Sequence, residues 1–282
     1  MGKQYSNSRM EYRIYESGKI MNNVVFQVSI AGYDKSKGGY LKGTKTFTYA
    51  KNLYDFSNER AKEYAKKYDA DYFCLTEPWE FLGDSYAPCY HKFYIYELLK
   101  KYDKVLYIDS DAIFTKYAPN LFTLDGFASV RDWPYTKKGD IKTARKLKVM
   151  GIDNTDHEYF CSCIMLLDQD FYKKTKDVWW HDLQYWKKIK KQGAQHDQAI
   201  FNRMVASRIG EYNVLDGHWG AWWKSNPKYL VHYANVTPKL KFTVEEFLEK
   251  EPKGKIPTED IFTDNRTVEK LIKKLDLSAL MS

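Results

Sequence analysis

Apolar residues gather in this chain into short, nearly unbroken runs at 24–30, 71–75, 104–108, 127–130, 159–167 and 229–233. Runs of this length, rich in β-branched and aromatic residues, predict strands buried on both faces. Between the runs the apolar positions recur every three or four residues, which predicts helices. One helix of about three turns is expected to begin near Ser57, whose hydroxyl suits an N-cap. Residues 88–101 carry Phe93, Tyr94, Leu98 and Leu99 at helical spacing, and Trp179, Leu183 and Trp186 form an amphipathic stripe that belongs to the core. A further helix is expected to open at His196. Strands alternating with helices predict an α/β protein with a doubly wound, mostly parallel sheet flanked by helices.

Outside these elements the pattern weakens. Residues 1–20 are polar and mixed in charge and read as a loose arm, with Met21 placed as a second possible start. The lysine-rich stretch 135–156 reads as a mobile connection holding one helix at 141–148. Thr243 and Glu246 have the spacing of a capping box for a helix through Lys250, and 265–275 predicts a last, basic helix. The expected organisation is therefore an arm at 1–20, a catalytic body at 21–242 and a helical C-terminal extension at 243–282 packed on that body.

Composition narrows the class. With 282 residues, 44% hydrophobic and 17% aromatic, the chain can bury one large α/β core, and disorder is excluded. The net charge of +8 is spread among acidic residues, which favours a phosphate-bearing ligand or an anionic membrane surface over nucleic acid. No apolar run approaches the ~20 residues of a membrane-spanning helix. Four cysteines without a secretory leader predict reduced thiols in a cytoplasmic protein, with peripheral membrane contact through the basic surface as an option. Cys161 and Cys163 lack the second pair a zinc site would need and read as core thiols.

Candidate chemistry centres on the run Val105-Leu106-Tyr107-Ile108, which ends in Asp109-Ser110-Asp111. Side chains two apart on an extended segment point the same way, so both aspartates can address one cation while Ser110 faces the opposite side. Two hard oxygen donors suit Mn²⁺ or Mg²⁺, whose shells are completed by water and substrate phosphates. An aspartate at a strand end also serves as a turn former, so the pair alone decides nothing. The first strand closes on Ala31-Gly32-Tyr33, small enough at its centre for a ligand to approach the backbone. Neither a Walker-type loop nor a dinucleotide glycine fingerprint is present, so a phosphorylated ligand would have to be held through metal and lysines.

Four islands in order along 24–241 resemble the metal-dependent glycosyltransferases of the GT-A fold, especially the retaining family of glycogenin and the bacterial lipooligosaccharide galactosyltransferases, with a second likeness to fungal and plant galactosyl- and xylosyltransferases. Asp109-Ser110-Asp111 is similar to the family's DxD motif, with Lys92 where the family has a basic residue on the preceding helix. Residues 160–167 resemble a strand usually written F-N-S-G-V-M, Asp197-Gln198 with Asn202 resembles D-Q-x-x-x-N, and His232 with Lys239 resembles H-x-x-G-x-x-K. Cys161 and Cys163 depart from the family's Asn and Gly, Asn235 stands for a glycine, and Lys239 comes one residue late with Lys241 as a rival.

The resemblance implies transfer of a sugar from a nucleotide diphosphate sugar, UDP-linked, to a glycan or glycoconjugate hydroxyl with retention. It implies Asp109, Asp111 and His232 as metal ligands. Lys92 and Lys239 would face the diphosphate, with Asp109 and Ser110 near the nucleotide. Asp132 and Asp197 would reach donor-sugar hydroxyls, and Gln198 the reacting face; an inverting enzyme would need one of these carboxylates as a base. Trp219, Trp222 and Trp223 are open to either core or acceptor roles. The other readings are a nucleotidyltransferase making sugar nucleotides, and a non-catalytic carbohydrate-binding relative.

Overall fold

The apolar runs at 23–28, 104–108 and 160–167 become strands buried on both faces, whereas the run at 71–75 lies at the sheet edge and is only half-buried, one side of its backbone ladder having no neighbouring strand. The computed structural model describes residues 22–30, 33–34, 39–40, 45–132, 137–152, 157–189, 196–219 and 229–232. In chain order the elements are β1 (Asn23–Val28), β2 (Tyr33–Asp34), β3 (Gly39–Tyr40), α1 (Lys45–Lys67), β4 (Asp71–Leu75), a 3-10 stretch at Pro88–Tyr94, α2 (Ile95–Leu98), β5 (Lys104–Ile108) and β6 (Ala112–Phe114). They continue with β7 (Ala128–Arg131), α3 (Lys137–Val149), β8 (Phe160–Asp168), α4 (Gln169–Thr175), α5 (Trp179–Ile189), α6 (His196–Met204), β9 (Asn213–Leu215) and β10 (Leu230–His232).

The central sheet has the order β4-β1-β5-β8-β7-β9. β1 pairs in parallel with β4 and β5, and β7 with β9, whereas β8 runs against both β5 and β7. Five strands thus share one direction and β8 alone is reversed, giving the mostly parallel α/β sheet expected.

Alternate residues divide between two cores. Val24, Phe26, Val105, Tyr107, Met165 and Leu167 pack on one face with Phe93, Phe171, Leu183 and Phe201. Val25, Leu106, Ile108, Ile164 and Leu166 pack on the other with Ala61, Tyr64 and Ala65 of α1. β5 lies between β1 and β8, and just beyond its carboxyl end β6 forms a small antiparallel pair with β10.

Three local expectations need correction. Ser57 is not an N-cap: α1 begins at Lys45 and Ser57 sits well inside it, fully buried. Nothing between Lys45 and Lys67 is glycine or proline, so the helix has no reason to start late. The Ser57 hydroxyl is satisfied by a long-range partner, the carbonyl of Ala112 at 2.6 Å, and not by its own backbone. Residues 88–101 split into the 3-10 stretch and the short α2, and the helix expected at 141–148 spans Lys137–Val149. The arm at 1–20, the extension at 243–282 with both its helices, Ala31, Gly32, Trp222, Trp223, Lys239 and Lys241 lie outside the described residues.

Candidate active site

β5 ends in a turn held from two sides. The Asp109 N–H donates to the Cys163 carbonyl at 2.8 Å, the last rung toward β8, and the Ala112 N–H donates back to the Asp109 carbonyl at 3.0 Å. Ser110 turns away from the aspartates: its Oγ lies 2.6 Å from the Val28 carbonyl and 2.7 Å from Ser29 Oγ at the end of β1. From α1, Ser57 donates to Ala112 and accepts from Gln27 Nε2 at 2.8 Å, while Asn58 Oδ1 receives the Ser29 hydroxyl at 2.9 Å. β1 and α1 thereby fix the backbone that carries the two carboxylates.

His232 reaches the same place from the far end of the chain. β10 pairs with β6 so that His232 stands opposite Ala112, next to Asp111. Its Nε2 lies 3.3 Å from Asp111 Oδ1 and 3.8 Å from Asp109 Oδ2. One ligand atom from each of Asp109, Asp111 and His232 falls within 4.8 Å of the others. Burial by itself would push His232 down, but the Asp111 carboxylate outweighs it and holds the imidazole well above its ordinary value. The same pairing holds Asp111 low against the effect of burial. Asp109 is raised by burial and by repulsion from Asp111, with Lys92 acting in the other direction.

The residues present fit a divalent cation. Both carboxylate side chains are partly open, 26% for Asp109 and 31% for Asp111, and His232 Nδ1 is buried without a hydrogen-bond partner among the described residues. Hard carboxylate oxygens with one imidazole suit Mn²⁺ or Mg²⁺.

On the other side of Asp109 lies a closed network. Lys92, 2% exposed, places Nζ 3.1 Å from Asp109 Oδ1 and 2.7 Å from Asp197 Oδ2, and over the Tyr107 ring. Burial opposes its charge, but the two carboxylates win and hold its pKa well above the usual lysine value. Tyr107, two residues before Asp109 on the same face, donates to Asp109 Oδ1 at 2.6 Å. Ser162 donates to Asp197 Oδ2 at 2.7 Å, and its N–H points to Gln198 Oε1 at 3.4 Å.

Asp197 and Gln198 open α6 beneath β8 and are both buried, fastened there partly by Asn202, which accepts from the Phe160 N–H at 2.9 Å and donates to the Phe160 carbonyl at 2.9 Å. Burial raises the Tyr159 phenol's pKa, Asp132 at the end of β7 adds to the rise, and Gln198 opposes it. Asp132 is itself 2% exposed, its N–H donating to the Tyr159 carbonyl at 2.9 Å.

The structure therefore gathers Asp109, Asp111, His232, Lys92, Asp197 and Gln198 at one sheet end, with Asp132 at its margin and Ser110 turned back toward β1. Tyr33 is described only as backbone in β2, paired with β3. Several residues here were not foreseen. Tyr107 could have been found from its position two before Asp109. Ser162 keeps the serine of the F-N-S-G-V-M resemblance but was assigned no role, and Tyr159 carried no signal beyond lying in a core run. Tyr54 of α1, close enough for Asp111 and Asp109 to add to the rise that burial causes in its pKa, carried none at all.

Similarity to known proteins agrees with this architecture. A galactosyltransferase LgtC structure determined with donor and acceptor sugar analogs aligns at a TM-score of 0.52 with 12% identity, covering 80% of this chain and 94% of that one. A glycosyltransferase involved in glycosylation of the major capsid of PBCV-1 aligns at 0.50 with 12% identity over 81% of this chain and 99% of that one. The bifunctional glycosyltransferase WbbM aligns at 0.50 with 15% identity, over 82% of this chain and 47% of that one. At such identities the likeness shows the fold, that of GT-A glycosyltransferases. No curated protein sequence matches the chain significantly. Among the described residues no helix is long and apolar enough to cross a membrane. The family profile described as glycosyl transferase family 8 matches residues 39–242, and the chain belongs to that family of glycosyltransferases.

Proposed function

We propose that this chain moves a sugar from a UDP-linked donor to a glycan or glycoconjugate hydroxyl, using Mn²⁺ or Mg²⁺ held by Asp109, Asp111 and His232. The observation that carries this reading is the meeting within 4.8 Å of three ligand atoms, two from the turn after β5 and one from β10. A cation there would supply Lewis-acid and electrostatic stabilisation to the departing diphosphate.

The chain's own residues have distinct tasks. Ser110, gripped by β1, keeps Asp109 and Asp111 aimed together, and Ala31, Gly32 and Tyr33 give the nucleotide a close backbone approach. Lys239, with Lys241 as its rival, is the lysine that the family resemblance assigns to the diphosphate. Lys92 acts on the donor through the two carboxylates it holds, setting Asp109 toward the cation and Asp197 toward the sugar. Gln198 lies on the reacting face and Asp132 at the donor's hydroxyls. Retention is favoured because Asp197 Oδ2 already takes Lys92 and Ser162 at 2.7 Å each, a poor state for a general base.

Calorimetric titration of UDP decides the matter, run with Mn²⁺, with EDTA, and with Mn²⁺ on Asp111→Ala. Binding that needs Mn²⁺ and vanishes in the variant is expected; binding indifferent to EDTA would overturn the metal-held donor. The anomeric proton of the product then reports retention or inversion.

A further inference from the structure

Two of the cysteines stand beside the histidine proposed to hold the donor cation. β8 loses its register against β7 between Ser129 and Val130: Ser129 faces Met165 whereas Val130 faces Cys161, so β8 carries three extra residues, 162–164, opposite one step of β7. Ser129 Oγ bridges this bulge, 2.9 Å from the Cys161 carbonyl and 2.7 Å from the Ile164 carbonyl. Bulges of this kind re-aim side chains beside sites. Here the effect is that one ligand atom from each of Cys161, Cys163 and His232 lies within 4.8 Å of the other two.

We propose that Cys161, Cys163 and His232 form a sulfur-rich site for Zn²⁺, adjoining the carboxylates and sharing their histidine. Two soft sulfurs and an imidazole match Zn²⁺, and three protein ligands leave a fourth tetrahedral position for water or a phosphate oxygen. The set is sheltered, with Cys161 6% and Cys163 0% exposed, and the cation enters past the partly open Asp109 and Asp111. On binding, each thiol gives its proton to solvent and becomes a thiolate ligand.

One imidazole serves both sets, so Zn²⁺ on the sulfurs weakens Mn²⁺ on the carboxylates. The chain would then respond to the ratio of the two metals. The competition, though not the zinc site, rests on the proposed role of His232 toward the donor cation.

X-ray absorption of the protein loaded with one equivalent of Zn²⁺ tests the site. A sulfur shell at about 2.3 Å is expected, retained in Cys74→Ser/Cys89→Ser and in Asp109→Asn/Asp111→Asn. It should be lost in Cys161→Ser/Cys163→Ser. A shell of nitrogen and oxygen alone at about 2.0–2.1 Å in the unaltered protein would overturn the proposal, and so would sulfur scattering lost from Cys74→Ser/Cys89→Ser. These two spectra suffice if the Cys161/Cys163 variant does not fold. Displacement of Mn²⁺ by Zn²⁺, read from the Mn²⁺ paramagnetic signal, tests the competition. UDP calorimetry with Mn²⁺ stands apart from both, so failure of the donor reading and failure of the zinc site give different results.

Discussion

The two sides of Asp109 are built for opposite purposes. Toward Lys92 the charged groups are answered: Nζ meets Asp109, Asp197 and Ser162, and Tyr107 closes the remaining approach to Oδ1. Toward His232 the groups are incomplete, with partly open carboxylates and an imidazole Nδ1 that has no partner among the described residues. A carboxylate between these sides is oriented by the first and left available by the second. That division predicts that damage on the closed side should read as lost stability, and damage on the open side as lost binding.

The largest effect should come from Lys92→Met. It leaves Asp109 and Asp197 facing each other without the cation between them, and breaking such a buried pair costs about 3–5 kcal/mol. The urea midpoint should fall accordingly, and adding Asp197→Asn should restore part of the loss, because the repulsion goes with the charge. A midpoint unchanged by Lys92→Met would remove the distinction between the sides.

Next in size is Asp111→Asn on the open side. Its carboxylate is 31% exposed and holds only one cationic partner, so the stability loss should be smaller than that of Lys92→Met. Mn²⁺-dependent UDP affinity, by contrast, should fall by at least about 100-fold, since even outer-sphere partners of a metal are worth 10–100-fold. Denaturation and calorimetry on the same variant give both numbers. A large stability loss with intact binding would reverse the assignment.

Smaller again is Ser57→Ala, which tests how the turn is held. The change strands the Ala112 carbonyl and the Gln27 amide inside the protein and should cost about 1–3 kcal/mol. Weaker Mn²⁺ binding should accompany it through displacement of Asp111, while Ser57→Thr, which keeps the hydroxyl, should recover most of both.

Ser57 also shows where sequence reading fails. A serine followed by helix-forming residues carries the signature of a cap, and only the carbonyl of Ala112, brought up by β6, explains why the helix passes through it. β1, β5 and β8 were legible because burial on both faces leaves a continuous apolar run. The reversal of β8 was not, since such a run looks the same in a parallel or an antiparallel neighbour. Asp109 and Asp111 were legible from their spacing, and His232 through the family resemblance. The burial of Lys92 was hidden, because its partners Asp109 and Asp197 lie 17 and 105 positions away and a lysine on a helix reads as solvated.

The smallest effect concerns pH and separates the histidines by their surroundings. His157 is 5% exposed, with Nε2 3.2 Å from Asn202 Oδ1, and burial lowers its pKa with only partial relief from that contact. His91, buried beside the Trp79 N–H that donates to its Nδ1 at 2.9 Å, is lowered for the same first reason. For both, the unfolded chain takes up protons first. Their stabilisation is complete above the unfolded value of about 6.5 and is lost as pH falls from there through the lower folded values. Unfolding free energy should therefore decline on acidification across that window. His157→Gln, whose amide can still donate to Asn202, should make the decline shallower while leaving stability at neutral pH nearly unchanged. An equal slope in the variant would mean that His157 is not held neutral, and that the wall of Phe160, Asn202 and Tyr212 around it is wetter than its burial indicates.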